Sequence, residues 1–524
     1  MTETECAPLD IKFQQRFSKN LISNVVYFVL NVIIGLALVP FFLDTLGEAA
    51  YGLIPLATSL TSYITIFTDA VNGSISRYLT IDLQKSDFVR ATETYNTSLF
   101  GMLLIVLICV PISIVIAISS PSFFDIGDSA VVDVILLFSL IFISVLVRAF
   151  GSTFMTTLFA YNRMDLRNIV NIVYQLIPVI LIVGIFLIFG PSLITVGASY
   201  LFAAVISVFV SYIFSRKTCP QLKINHHYFS KLRFKEMGGV TFWLIINRFG
   251  GLLITNVSLV FVNILYGVVA ETGYSLVLTF NILLVAIGSL ITSILTPMIY
   301  SYYSKGDIAG LVTFSKFSIK IVGMLLALPV GLVCIFSSQF LTLWVGSEYI
   351  YLVPLMWILI IPSLLEVQVA AIGGVNIACL RVRFPAIYAV LCGFLNIGLI
   401  LLFNSLFDIG YYNVAFSYLI SRVILGIATY TPIYIAYILG APRFTFVKSM
   451  FYGYAALFCL LIVGVGFTSI LYINSIWLLL LSGVSISILY IFVIFRIFLQ
   501  KNERNQLKSL LPNWINKYIL KWVL

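Results

Sequence analysis

Five ionisable side chains stand out because of where they sit. Arg148, Arg248 and Arg422 fall inside otherwise apolar stretches, and so do Asp69 and Glu366. Placing an arginine at the centre of a bilayer costs at least about 2.5–3.5 kcal/mol, so such groups face water or a partner. A guanidinium matches phosphate oxygens two at a time, which makes the three arginines candidate ligands for an anionic substrate group. Asp69 and Glu366, the acids deepest in these stretches, are candidates for proton or sodium coupling. The alternative chemistry is structural: an arginine paired with Asp69 or Glu366 would hold helices together. Lys320 and Arg77 lie close enough to the inner boundary to extend to water and are set aside. No phosphate loop, metal-ligand spacing or nucleophile–base set occurs, so no catalytic residue, cofactor or metal is expected. His226 and His227 sit in a polar loop and read as a solvated pair. The cysteines are scattered, with Cys109, Cys334, Cys392 and Cys459 inside apolar runs.

The elements that carry these groups are membrane spans. The chain is 61% hydrophobic and 10% charged, with mean hydropathy +1.10. Crossing about 30 Å of hydrocarbon takes about 20 apolar residues. Fourteen candidates follow, near 21–43, 51–79, 95–119, 130–158, 168–189, 193–214, 238–264, 271–300, 314–336, 351–379, 385–404, 411–439, 446–472 and 475–499. A turn at Gly190-Pro191-Ser192 divides the fifth from the sixth. Of the 30 basic residues, all but Arg148, Arg248 and Arg422 fall before the first span, after the last, or at alternate connections. The intervening connections carry only acids: Asp44, Glu48, Asp125, Asp128, Glu271, Glu348 and Asp408. The positive-inside bias therefore predicts both termini in the cytoplasm. The net charge of +10 is spread over short loops and does not point to nucleic acid. The first twenty residues lack the apolar core of a signal peptide.

The expected fold is all-α and polytopic, with two six-helix lobes around a central cavity plus two extra C-terminal helices. Residues 1–20 precede the N-lobe (21–214), and a basic linker (215–237) leads to the C-lobe (238–439). Spans thirteen and fourteen occupy 440–499. Residues 500–524 form a tail whose Leu511, Ile515, Tyr518, Ile519 and Trp522 share one face, as in an interfacial helix. Asn20, Asn24, Tyr27, Asn31 and Gly35 recur at helical spacing in the first span. Thr58, Ser62, Thr65, Asp69, Asn72 and Ser76 do so in the second. Asn247, Gly251, Thr255 and Ser258 repeat the pattern in the seventh, and Asn281, Ser289, Thr292 and Thr296 in the eighth. Polar stripes on the first two helices of each half suit parallel repeats around a midplane site. Helix–helix packing by small polar residues is the competing explanation.

Several short motifs carry a family likeness. The Leu46-Gly47…Tyr51-Gly52 element, followed by Gly73…Ser76-Arg77-Tyr78, resembles the amino-terminal signature of polysaccharide-biosynthesis membrane proteins. These are the Wzx-type lipid-linked oligosaccharide flippases of the multidrug/oligosaccharidyl-lipid/polysaccharide exporter superfamily. Tyr161-Asn162-Arg163…Asn168 is similar to theirs, as is Gly273-Tyr274-Ser275 leading to Pro297 and Lys305-Gly306-Asp307. The resemblance implies two six-helix bundles, alternating access, cationic cavity residues and a polyprenyl-phosphate- or pyrophosphate-linked glycan as cargo. It further implies a multi-pass protein of the cytoplasmic membrane, working with glycosyltransferases or a polymerase of the same pathway. Many O-antigen members look like twelve-helix proteins, and two further helices resemble the lipid II flippases. The expected activity is thus flipping of a lipid-linked oligosaccharide rather than enzymatic catalysis. A cation-coupled multidrug exporter of the same superfamily would favour an acidic or aromatic cavity. A membrane-embedded glycosyltransferase or polymerase would need a larger polar loop than any outer connection offers.

Overall fold

The computed structural model describes residues 9–84, 87–379, 381–423, 433–470, 475–499 and 503–504. Every regular element among them is a helix. The chain forms two compact units, Met1–Thr272 and Gly273–Leu524.

The first unit holds α1 (Leu9–Leu46), α2 (Glu48–Gln84), α3 (Phe88–Phe123), α4 (Val131–Ala160), α5 (Met164–Phe189), α6 (Leu193–Thr218), α7 (Lys231–Tyr266) and the first turn of α8 (Val268–Ser304). Helix α4 is its axis, packed on α2, α3 and α6. Small residues allow the α4–α6 approach, as is usual where lipid gives no hydrophobic drive to helix association. A Cβ on Gly197 would sit 2.9 Å from the Leu140 Cβ, and one on Gly151 would collide with Val208. Ala203, Ser207, Ser211 and Ser215 continue the buried face of α6, and Thr157 donates to Ser215 Oγ at 2.8 Å.

The 215–237 segment is fastened to α3. Asn96 donates to the Lys223 carbonyl and accepts from the Asn225 N–H, both at 2.8 Å, and Thr97 Oγ1 accepts from the Ser230 N–H. Arg233 reaches Asp82 at 3.2 Å. Cys219 joins the apolar cluster beneath, where burial pushes its thiol up. These contacts, with α7 against α2, place the segment and α7 in the first unit, so the division falls inside α8.

The second unit continues α8 and adds α9 (Ile308–Ile335), α10 (Ser337–Trp344), α11 (Val353–Ala370), α12 (Gly374–Ala378), α13 (Arg383–Leu406), α14 (Tyr412–Val423), α15 (Ala436–Ile438), α16 (Val447–Ile470) and α17 (Ile476–Ile497). Here α9 is central, against α11 and α16. A Cβ on Gly453 would come within 2.9 Å of the Gly323 Cα, so backbones meet where α9 and α16 cross. Gln368 closes that crossing by donating to the Met450 carbonyl at 3.2 Å. Lys320, set aside from the sequence as reaching water, is instead 4% exposed and ion-paired to Glu503 at 2.7 Å.

Twelve helices among the described residues are long and apolar enough to span a bilayer, which makes this a multi-pass membrane protein. Two of the fourteen expected spans are not among them. The 411–439 stretch includes residues outside the description, and the last is a shorter apolar helix, Trp477–Val493. The amphipathic tail expected after 504 lies outside the described residues.

Candidate functional site

Four helices of the first unit bring charge together. Asp69 comes from α2, Arg148 from α4, Arg167 from α5 and Arg248 from α7. Asp69 lies within electrostatic reach of Arg248, Arg167 and Arg148. Asp69 and Arg248 are exposed, and neither forms an ion pair among the described residues. Arg148 is oriented on two sides. Its Nη2 donates to Asn171 Oδ1 at 2.9 Å, and its guanidinium carbon lies 3.9 Å from the Tyr174 ring centroid. Stacking on an aromatic face and one amide bond fix the plane while leaving other N–H groups for an anion. Three guanidinium groups within electrostatic reach of one carboxylate leave a net positive region.

Arg167 lies near the start of α5, where a basic residue at a span end calls for no special explanation. It begins a face of α5 that continues through Asn171 and Tyr174, at steps of four and three residues. That spacing is the signal that marks it, because it joins Arg167 to the two residues holding Arg148. Tyr27 of α1 also lies in the field of Arg167.

Other members of the polar stripes fasten helices. Asn168 donates to Ser23 Oγ and to Asn24 Oδ1 at 2.6 Å, tying α5 to α1. Asn20 bonds Asn162 and accepts from the Asp165 N–H. Asn162 has φ 52°, a left-handed conformation that asparagine tolerates better than most residues. Asn72 donates to Ser152 Oγ at 2.7 Å between α2 and α4. In the second unit Asn281 donates to the Leu359 carbonyl.

Arg422 and Glu366, assigned from the sequence to substrate and ion coupling respectively, meet in the second unit. Arg422 Nη1 lies 3.2 Å from Glu366 Oε1, with side chains 11% and 26% exposed. The guanidinium also lies 5.3 Å from the Tyr418 ring centroid, and among the described residues its buried Nε has no hydrogen-bond partner. No group of three or more metal-binding side chains occurs among the described residues.

The comparisons agree with the membrane architecture. A family model described as "Polysaccharide biosynthesis protein" matches residues 17–305, more than half the chain. The chain is 26% identical over 498 residues to the "Uncharacterized membrane protein EpsK" of Bacillus subtilis (strain 168), spanning 93% of this chain and 97% of that protein. Among solved structures, the lipid II flippase MurJ in an inward closed conformation superposes with a TM-score of 0.66 at 14% identity, over 91% of this chain and 98% of that one. An inward-facing multidrug resistance MATE family transporter of the MOP superfamily gives the same score and identity, over 82% and 95%. At these identities the likeness is one of fold.

Proposed function

The chain belongs to the polysaccharide biosynthesis protein family, and from that premise we propose that it flips a polyprenyl-phosphate- or pyrophosphate-linked oligosaccharide across the cytoplasmic membrane by alternating access. The observation that carries this reading is the cationic set of Arg148, Arg167 and Arg248 around Asp69. In this account the termini are cytoplasmic, because the basic connections lie on their side. The guanidinium groups take the phosphate and offset its desolvation, while the prenyl tail stays in lipid. Asp69 offsets part of the positive charge without pairing with an arginine, and protonating it would raise the site's attraction for phosphate. Glu366 is a second candidate for coupling, through Arg422. Work with glycosyltransferases or a polymerase of the same pathway follows from such a cargo. A multidrug exporter handling cations would want the opposite charge balance.

The test is translocation of a lipid-linked oligosaccharide by protein reconstituted in liposomes. Charge-assisted hydrogen bonds contribute about 1.5–3 kcal/mol each, so Arg148→Ala or Arg248→Ala should slow translocation roughly tenfold to a hundredfold. Wild-type rates in both variants at normal abundance would reject the site.

A further inference from the structure

The Gly47…Tyr51-Gly52 motif has no place in the cationic site, and the structure gives it another task. Gly52 of α2 faces the first turn of α8. A Cβ there would meet Thr272 Oγ1 and would lie 2.6 Å from Glu271 Oε2. Glu271 is 0% exposed, and among the described residues neither of its carboxyl oxygens has a hydrogen-bond partner.

Around it the ends of four elements are laced together. Thr272 Oγ1 donates to the Glu48 carbonyl at 2.8 Å. The α3–α4 loop grips the α7–α8 turn: Asp125 Oδ2 accepts from the Val268 N–H at 2.9 Å, and Asn263 bonds the Asp125 backbone through both atoms of its amide. Gly267, at φ +86°, presents the turn so closely that a Cβ would lie 2.8 Å from Asp125 Oδ2. The titratable groups on the packed segments are Glu48 and Tyr51 of α2, Asp125 and Asp128 of the loop, and Tyr266 of α7. The stretches 43–60, 121–131 and 260–280 contain no Lys, Arg or His.

An ionised carboxylate in such a place would have neither solvent exposure nor, among the described residues, a cation to offset its charge. The laced arrangement is therefore that of the neutral acid. We propose that Glu271 is a proton-binding site and that its occupancy closes this latch. With the proton bound, α8 seats on Gly52; when the proton leaves, the new negative charge seeks water and the α2, α3–α4 and α7–α8 ends part. The sign follows: the latch holds at low pH and releases as pH rises through the titration of Glu271. That the latch faces the outside rests on the orientation proposed above.

The test is hydrogen–deuterium exchange on the full chain in lipid nanodiscs, following backbone amides of 121–130 and 263–275 after correction for intrinsic rates. In the wild type, opening of both segments should rise at least about tenfold from about pH 5.5 to the alkaline end of a pH series carried as far as the fold stays intact, the response of one carboxyl changing state. Glu271→Gln keeps the neutral shape and should stay protected at both ends of the series. Gly52→Ala pushes on the seated side chain and should open the latch at both. A wild type whose protection ignores pH, a Glu271→Gln variant that keeps the wild-type pH response, or a Gly52→Ala variant as protected as the wild type overturns the proposal. Should Glu271→Gln fail to fold, the wild-type profile and Gly52→Ala decide alone. No glycan enters the measurement, so its failure is distinct from failure of the transport reading.

Discussion

Arg422 and Arg148 are both arginines in apolar helices, yet they touch different things. Arg422 meets a carboxylate 3.2 Å away, whereas Arg148 has an amide and a ring. The first pairing neutralises a charge; the second aims one. Replacing Glu366 with Leu should leave Arg422 unpaired in a largely dry place and lower stability by about 2–4 kcal/mol, read as a loss of thermal midpoint in detergent. Adding Arg422→Leu should recover most of that loss. A double variant no more stable than Glu366→Leu would mean the pair does not act as one. The sequence offered both roles for each arginine, because burial of the charge was legible and its partner was not. Arg167 was missed for the opposite reason: it lies near a span end, where a basic residue needs no explanation.

At the scale of elements, hydropathy marked the helices, but what their polar faces do had to come from neighbours. Asn20, Asn24, Asn72 and Asn281 look alike as stripes around a chamber, and all four bond between helices. Only Asp69, in the same stripe as Asn72, joins the cationic set. The α9–α16 crossing was not legible, since glycines 323 and 453 acquire meaning only when their backbones meet. Gly453→Val should force that crossing apart and destabilise the protein by about 1–3 kcal/mol, the usual cost of overpacking. An unchanged thermal midpoint would show that the two helices are not held by this contact. The linker gives a milder case. Arg233 and Asp82 are 12% and 7% exposed, so Asp82→Asn should loosen the linker and raise proteolysis within 215–237. Unaltered cleavage would show that Asn96 and Thr97 suffice.

For the whole molecule, composition and the alternation of basic and acidic connections led to a multi-pass helical architecture, and the family match and fold likeness agree with it. How the segment 215–237 is fastened was not legible, because it reads as a spacer until its bonds to α3 are seen. The central claim is that the positive site of the first unit receives a phosphorylated head. It is tested most directly by equilibrium binding of a short-chain prenyl pyrophosphate to the purified protein across a salt series. Binding should weaken steadily as salt rises, and Arg148→Ala/Arg248→Ala should lose at least about a hundredfold in affinity while its thermal midpoint stays put. Equal affinity in the wild type and the double variant, at every salt concentration, would contradict the account.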